Sequence, residues 1–296
     1  MSILVVGSLN MDTTYELDHL PLKGETILAK YIKSNRGGKG QNQAVAAARL
    51  GSDVILVGAV GDDDGGRLIK KGLSEDNINT DYIITKDTPT GCASIYIDKN
   101  GNNNIVVYSG SNFELNKADI ESFNKFKNIK YCIMQLEIPL DTVYRTLEIC
   151  KKNNIITILN PAPANTDFNS DYLKYVDYFI PNETELSLIA NEKAVNENIE
   201  KLCRNLLKKG VKNVIVTLGE KGSVLVNNNE IIKVPCGKTE AVDTTAAGDS
   251  YIGGFVTYLS EGKSLKESME FASKVAAKTV SKKGAIDSLP YRNNIK

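Results

Sequence analysis

The sequence predicts an α/β protein of three layers (αβα), with a mostly parallel central sheet covered by helices on both faces. Three observations carry this. Short runs rich in Val and Ile alternate along the chain with stretches of helical periodicity. Those runs are almost wholly apolar, as strands buried on both faces must be. The chain has 296 residues, 42% of them hydrophobic, enough for one large core with at most a small appendage.

In order, core strands are expected at residues 3–6, 54–60, 131–135, 155–159, 178–180 and 214–218. Helices are expected at 41–50, 65–73, 140–151, 183–190 and 199–209, with Gly51 and Gly210 placed as C-terminal caps. Tyr251, Ile252, Phe255, Val256 and Leu259 recur at helical spacing, and a last helix is expected at 265–280. Two regions break the alternation. Residues 13–36 carry extended patterns at 14–17 and 26–32 with no helix between them. Residues 91–109 read as a hairpin, with strands at 92–97 and 105–108 around a turn at Asp98-Lys99-Asn100-Gly101. These pieces form either a small separate sheet or an ordinary edge of the main one. The expected core is then 1–12, 37–90 and 110–296.

Composition narrows function. Lys plus Arg and Asp plus Glu number 36 each, and zero net charge argues against nucleic acid as a partner. The first residues show a buried-strand pattern without a basic region or a long apolar run. Neither a signal peptide nor a membrane span is expected. Five scattered cysteines, Cys92, Cys132, Cys150, Cys203 and Cys236, form no metal-like pair and fit reduced thiols in the cytoplasm. His19, the only histidine, lies in a turn-like surface setting, which nearly excludes histidine-based metal sites and triads.

The most informative run is Val-Asp-Thr-Thr-Ala-Ala-Gly-Asp-Ser-Tyr-Ile-Gly-Gly at 242–254. Ala246, Ala247 and Gly248 lead into a helix whose start offers unpaired N–H groups and the positive end of its dipole, a setting for an anion. Asp249 at that point could be an ordinary helix-start charge. The lack of bulk before it, the second acid Asp243, and the helical glycines Gly253 and Gly254 favour a working acid. Such an acid takes the proton from a hydroxyl that attacks phosphorus, while the N–H groups hold the developing charge.

Other segments are less decisive alone. Gly7-Ser8-Leu9-Asn10-Met11-Asp12 follows the first strand, where open α/β sheets bind ligands. Asn10 and Asp12 suit vicinal hydroxyls, or simply form a turn. Asn35-Arg36-Gly37-Gly38-Lys39-Gly40-Gln41-Asn42 is a glycine-rich loop with a lysine, without Walker spacing. Glu137 stands just past a strand. Asn182 and Glu185 form a capping-box pattern that can also orient metal-bound water near phosphates.

Together these segments resemble the ribokinase-like (PfkB) family of carbohydrate and nucleoside kinases, from Gly7 to about Pro290. The run at 242–254 is similar to its second signature, and Gly-Gly-Lys-Gly-x-Asn-x-Ala from Gly37 to its first. Asn160-Pro161-Ala162-Pro163, Pro181-Asn182-Glu183-Thr184-Glu185 and Lys283-Gly284-Ala285 extend the match. The resemblance implies Asp249 as catalytic base and Ala246, Ala247 and Gly248 as an anion hole. It implies sugar contacts at Asn10, Asp12, Gly38, Lys39, Gly40, Asn42, Glu137 and Asp249. ATP contacts are implied at Asn182, Glu185, Thr217, Gly219, Gly222, Gly248 and Ser273, with Asn182 and Glu185 holding Mg2+ through water. A monovalent cation, K+, is implied at Asp243, Thr245, Thr279, Lys282, Gly284 and Ser288. Residues 13–36 and 91–109 become a β-sheet lid over the sugar and the contact of a homodimer. Within the family the pieces best fit ATP-dependent phosphorylation of D-ribose at its 5-hydroxyl. The alternatives are a kinase for 2-deoxyribose, fructose or a nucleoside, and, from another class, a catalytically silent sugar- or nucleotide-binding module.

Overall fold

The computed structural model describes residues 2–195, 197–237 and 239–295. Its elements run β1 (Ser2–Val6), β2 (Asn10–Glu16), β3 (Tyr31–Gly37), α1 (Lys39–Arg49), β4 (Val54–Gly61), α2 (Asp64–Glu75), β5 (Ile83–Lys86), β6 (Gly91–Ile97), β7 (Asn103–Tyr108) and α3 (Lys117–Ser122). They continue with β8 (Ile129–Met134), α4 (Leu140–Lys152), β9 (Ile156–Leu159), β10 (Tyr178–Phe179), α5 (Glu183–Ala190), α6 (Ile199–Lys208), β11 (Asn213–Thr217), β12 (Ser223–Asn227), β13 (Ile231–Val234), α7 (Ala247–Ser260) and α8 (Leu265–Val280).

Nine strands form one sheet in the order β13-β12-β11-β10-β9-β8-β1-β4-β5. All pairs from β11 to β5 are parallel, and β12 and β13 add an antiparallel edge. Successive side chains point to opposite faces, so each strand feeds two cores. Leu4 and Val6 pack on one face with Ile120 of α3, Val143 and Leu147 of α4, and Leu202 of α6. Ile3 and Val5 pack on the other with Ala44 of α1, Ile69 of α2, Phe255 of α7 and Met269 of α8. This is the three-layer arrangement the apolar runs predict. Gly51 and Gly210 take positive φ of 99° and 106° just past α1 and α6, as cap positions require.

Three sheet strands lie outside the predicted set. β5 is a four-residue edge strand of mixed polarity, which gives no clean periodic signal. β12 and β13 are joined by an Asn-rich turn, where Asn227 Oδ1 accepts from the N–H groups of Asn229 and Glu230, each at 2.8 Å.

A second sheet of four strands, β3-β2-β6-β7, stands apart from the first. β2 begins at Asn10, so Asn10 and Asp12 belong to this sheet rather than to the core. β3 covers Tyr31–Gly37 instead of 26–32. Antiparallel pairing explains both shifts, because Asn10 faces Gly37 and Glu16 faces Tyr31. The ladder therefore runs straight into the glycine loop. The expected turn joins β6 and β7, with Asp98 N–H donating to the Asn102 carbonyl at 2.9 Å and Gly101 at φ 83°.

One buried carboxylate ties three regions together. Asp76, just past α2, receives Arg36 Nη2 at 3.0 Å and Arg49 Nε at 2.7 Å. Arg49 Nη1 also donates to the carbonyls of Ile286 and Leu289, at 2.7 and 3.0 Å. An anion at a helix C-terminus opposes the helix dipole, so the two guanidiniums must hold Asp76 in place. Asp76→Asn would leave both half-buried guanidiniums without a counter-charge. The expected loss is about 3 kcal/mol, read as a lower urea midpoint at unchanged slope. A midpoint equal to that of the parent would show that the triad contributes no such stability.

Candidate active site

Strand order reverses at β1. The chain moves from β1 to β4 on one side, and the later strands build outward from β8 on the other. A ligand crevice belongs at the carboxyl ends of the strands beside such a switch. The residues after β1 and β8 meet there. Ser8 Oγ donates to Glu137 Oε2 at 2.5 Å, and the Lys39 N–H donates to the same oxygen at 3.0 Å. Gly38, at φ 87°, turns the chain into α1 in a conformation other residues resist. A Cβ on Gly40 would lie 2.5 Å from the Ser8 nitrogen, so the loop is pressed against the end of β1.

The first turn of α1 delivers three buried amides into this crevice. Gln41 Nε2 donates to the Gly37 carbonyl at 2.5 Å and holds the loop. Asn42 Nδ2 reaches Asp249 Oδ2 at 2.9 Å, and Gln43 Nε2 reaches Asp249 Oδ1 at 2.8 Å. They reach it because α1 and α7 pack at close range. A Cβ on Gly253 would lie 2.6 Å from Ala46 Cβ and 3.0 Å from the Ala47 nitrogen. Gly254 does the same against Ala272 and Val275 of α8.

Asp249 itself is buried at the start of α7. Ala246, at φ 59°, precedes the helix, and a Cβ on Gly248 would meet nothing within 4 Å, so a ligand can approach that backbone. Among the described residues, the N–H groups of Ala246, Gly248 and Asp249 have no backbone acceptor. The Ala247 N–H instead turns back to the Thr244 carbonyl at 3.2 Å. The open donors thus differ by one residue from the expected Ala246, Ala247 and Gly248, with Asp249's own N–H taking the place of Ala247's.

Several carboxylates crowd the crevice. Burial, with Glu137 nearby, pushes the Asp12 carboxyl up to about 7, against a weaker pull from the Ala93 N–H. Its Oδ1 is buried without a partner among the described residues. Asn10 Oδ1 accepts from Asn112 Nδ2 at 2.7 Å, which leaves the Asn10 amide nitrogen free to donate. Burial alone would lower the Lys39 ammonium, but the carboxylates of Asp249, Glu137 and Glu185 outweigh it and hold that pKa above the usual lysine value.

On the far side, Asn182 and Glu185 form a complete capping box. Asn182 Oδ1 accepts the Glu185 N–H at 2.8 Å, and Glu185 accepts the Asn182 N–H and Nδ2, both at 2.9 Å. Burial raises the Glu185 carboxyl, and Asp249 adds to the rise, against the Asn182 N–H and Lys39. Thr217 N–H donates to the Pro181 carbonyl at 3.0 Å, which brings the tip of β11 to this helix start. A Cβ on Gly219 would meet nothing within 4 Å, but one on Gly222 would lie 2.1 Å from the Val234 carbonyl oxygen. Packing on β13 therefore accounts for Gly222. Ser273 Oγ donates to the Pro235 carbonyl at 3.0 Å and ties α8 to the same stretch.

Asp243 joins two loops. Its Oδ1 accepts the Thr245 N–H at 2.9 Å and hydroxyl at 2.6 Å, and its Oδ2 accepts the Gly284 N–H at 2.8 Å. Burial raises its pKa, but these bonds outweigh that and hold the carboxyl below its usual range. On the second loop, the Thr279 carbonyl accepts the Lys282 N–H at 3.1 Å and Ser288 Oγ donates to the Ala285 carbonyl at 2.8 Å.

The likeness to known proteins extends as far as this architecture does. Residues 1–292 match the pfkB family carbohydrate kinases. The chain belongs to that family. It is an ATP-dependent carbohydrate kinase, as its two signatures led us to expect. A ribokinase of Dictyostelium discoideum is 40% identical, with 99% of each chain covered. A deoxyribokinase of Salmonella typhi is 37% identical over 98% of this chain and 96% of its own. The structure of Arabidopsis thaliana ribokinase complexed with ribose and ATP is similar at a TM-score of 0.93 and 34% identity, over 99% of this chain and 97% of that one. Within this pfkB-family crevice, sequence reasoning missed Ser8, Gln41, Gln43, Asn112 and Gln135 as site residues. The run Gln41-Asn42-Gln43 in one helical turn was a readable signal, whereas Asn112 had none.

The Asp12 shift has a sign that can be checked. Its folded pKa of about 7 lies above the ordinary 3.8, so the folded state binds the extra proton between those values. Stability from this group falls as pH rises from about 4 to about 7, and the penalty is complete above that. Ligand-free Asp12→Asn should melt above the parent at pH 8, and the gap should close toward pH 4. A gap that stays constant with pH would rule out Asp12 as its source.

Proposed function

We propose that the chain transfers the γ-phosphoryl group of ATP to the 5-hydroxyl of D-ribose. The observation that carries this reading is the buried Asp249 carboxylate at the start of α7, flanked by open backbone N–H groups and met by Asn42 from the glycine loop. Ribose is held between the main sheet and the small one, which serves as the lid. Asn10 and Asp12 contribute from β2, Gly38, Lys39, Gly40 and Asn42 from the loop and α1, and Glu137 from beyond β8. Asp12 Oδ1 and Asn42 Oδ1 are both buried without partners among the described residues, and sugar hydroxyls would satisfy them. A site with this many fixed polar groups favours a fully hydroxylated sugar, since an absent hydroxyl would leave one of them unpaired.

Asp249 Oδ2 accepts the proton of the 5-hydroxyl as that oxygen attacks the γ-phosphorus. The bond from phosphorus to the bridging oxygen breaks, and ADP leaves with the electron pair. The open N–H groups of Ala246, Gly248 and Asp249 stabilise the transferring group, and alignment supplies most of the rate. Asn182, Glu185, Thr217 and Gly219 line the nucleotide side, with Gly248 at the phosphates and Gly222 and Ser273 shaping the wall. The carboxylate and amide oxygens of Glu185 and Asn182 suit Mg2+ held through water, which when bound neutralises phosphate charge. Asp243, Thr245, Thr279, Lys282, Gly284 and Ser288 offer side-chain and carbonyl oxygens that suit K+, which when bound steadies the loop before α7.

β7 is exposed along its whole length at the edge of the small sheet. Ile105, Val106, Val107 and Tyr108 on that edge, and Tyr31 and Ile32 on the opposite edge strand β3, are exposed apolar side chains that a second copy of the chain would cover. Five free cysteines fit a cytoplasmic setting.

The test is the initial rate of ADP formation with Mg2+ and K+ across ribose, 2-deoxyribose, fructose and adenosine. Ribose should be preferred. A preference for 2-deoxyribose would overturn the substrate while keeping the chemistry. Asp249→Ala should lower turnover about 1,000-fold or more and leave ATP binding intact. Near-parent turnover in that variant would remove Asp249 as the base.

A further inference from the structure

Gln43 is fully buried on α1 and has no place among the expected sugar or nucleotide contacts. Its amide is nonetheless committed at both ends. Nε2 donates to Asp249 Oδ1 at 2.8 Å and to Asn160 Oδ1 at 3.3 Å. Oε1 accepts from Gln135 Nε2 at 2.6 Å. Asn160 Nδ2 in turn donates to the Ile180 carbonyl at 2.9 Å. The row Gln135–Gln43–Asp249 therefore has one polarity. A carboxylate can only accept, so Gln43 must turn its nitrogen toward Asp249. Gln135 matches that choice by donating its own nitrogen to the Gln43 oxygen, while the Gln135 oxygen has no partner among the described residues.

Gln135 is confined as well. It directly follows β8, is fully buried, and its Oε1 lies 2.0 Å from where a Cβ on Gly7 would stand. Asn42, on the other oxygen of Asp249, is different. It stands on the sugar side, and its own Oδ1 lacks a partner among the described residues. It can trade Asp249 Oδ2 for a substrate hydroxyl, whereas Gln43 has no alternative partner of equal charge.

We propose that Gln43 is the positioning residue of Asp249: by occupying Oδ1 it fixes the plane of the carboxylate and leaves Oδ2 as the oxygen that takes the sugar proton. This rests on the reading of Asp249 as the base. Asp249 is felt by Lys39 and Glu185 through charge, while Gln43 acts on Asp249 through geometry.

Gln43→Met keeps the length of the side chain and removes the donor. It should lower turnover about 30-fold, with KM for ribose and for ATP within about twofold of the parent. A merely structural role would move KM or the melting temperature along with turnover. Gln135→Met keeps the Gln43 donor but frees its orientation, and should lower turnover about fivefold. In an Asp249→Asn background, Gln43→Met should lower the residual rate no further, since both changes act through one group. Turnover in Gln43→Met within about twofold of the parent, beside an inactive Asp249→Asn, overturns the proposal and spares the base. An active Asp249→Asn overturns the base itself. If Gln43→Met does not fold, Gln135→Met decides, and parent-like turnover there overturns the proposal.

Discussion

Everything in the site depends on two helix starts being forced together over one carboxylate. α1 and α7 can approach only because Gly253 lies against Ala46 and Ala47, where any side chain on the glycine would collide. That contact sets how far the first turn of α1 reaches toward Asp249, and so lets Asn42 and Gln43 each meet one of its oxygens. The same first turn of α1 is anchored at its other side by Gln41 on the Gly37 carbonyl. A shift at the helix contact would therefore be felt at once by Asp249, the glycine loop and the open N–H groups. Glycine in a helix interior destabilises it by roughly 1 kcal/mol relative to Ala, and here that loss accompanies a geometry no larger residue permits.

The charges of the site follow a second constraint. Asp12, Glu137, Asp249 and Glu185 are all acidic, and Lys39 is the cation that feels three of them. Asp12 and Glu185 are both raised, first by burial and then by a neighbouring carboxylate. Such a cluster of like charges is unfavourable on its own. Sugar hydroxyls can donate to the acids, and cations accompanying a nucleotide can offset their charge. The site is thus arranged for occupants that donate hydrogen bonds or bring positive charge, and local stability is surrendered for that readiness. Asp243 makes a useful contrast. It is also partly buried, yet three donors hold it below the usual range, as suits a carboxylate whose task is to tie two loops.

The layers of the fold were legible because both faces of the sheet are covered. Leu4 and Val6 enter one core, and Ile3 and Val5 the other, which leaves an unbroken apolar run in the sequence. β5 and β13 were not legible for the opposite reason: they are the two edge strands of the sheet, where polarity is mixed. β12 lies between β11 and β13 and is wholly buried, but its apolar run is only Val224-Leu225-Val226, too short for a periodic signal. In the site, Asp249 and the glycine loop announced themselves through residues that would be poor choices for packing alone. Gly222 and Ser273 show the limit of that logic, since each also has a plain structural task, against the Val234 and Pro235 carbonyls. Asn112 could not have been found at all. It reaches Asn10 and the Leu9 N–H from more than a hundred residues away, and only the fold makes them neighbours.

The register of the small sheet has a mechanical meaning. Asn10 and Asp12 lie on β2 itself, paired with Gly37 and Asn35 of β3. They are therefore part of the small sheet, and it cannot be displaced without moving them. Arg36 lies in the same ladder, and through Asp76 and Arg49 it is joined to the carbonyls of Ile286 and Leu289. Those carbonyls flank Ser288, on the loop that Asp243 ties to the approach of α7. The small sheet and the start of α7 are thus connected twice. One connection runs through the buried amides of α1, and the other through a buried ion triad on its far end. A rigid α1 between the two links makes the position of one half of the site a condition on the other.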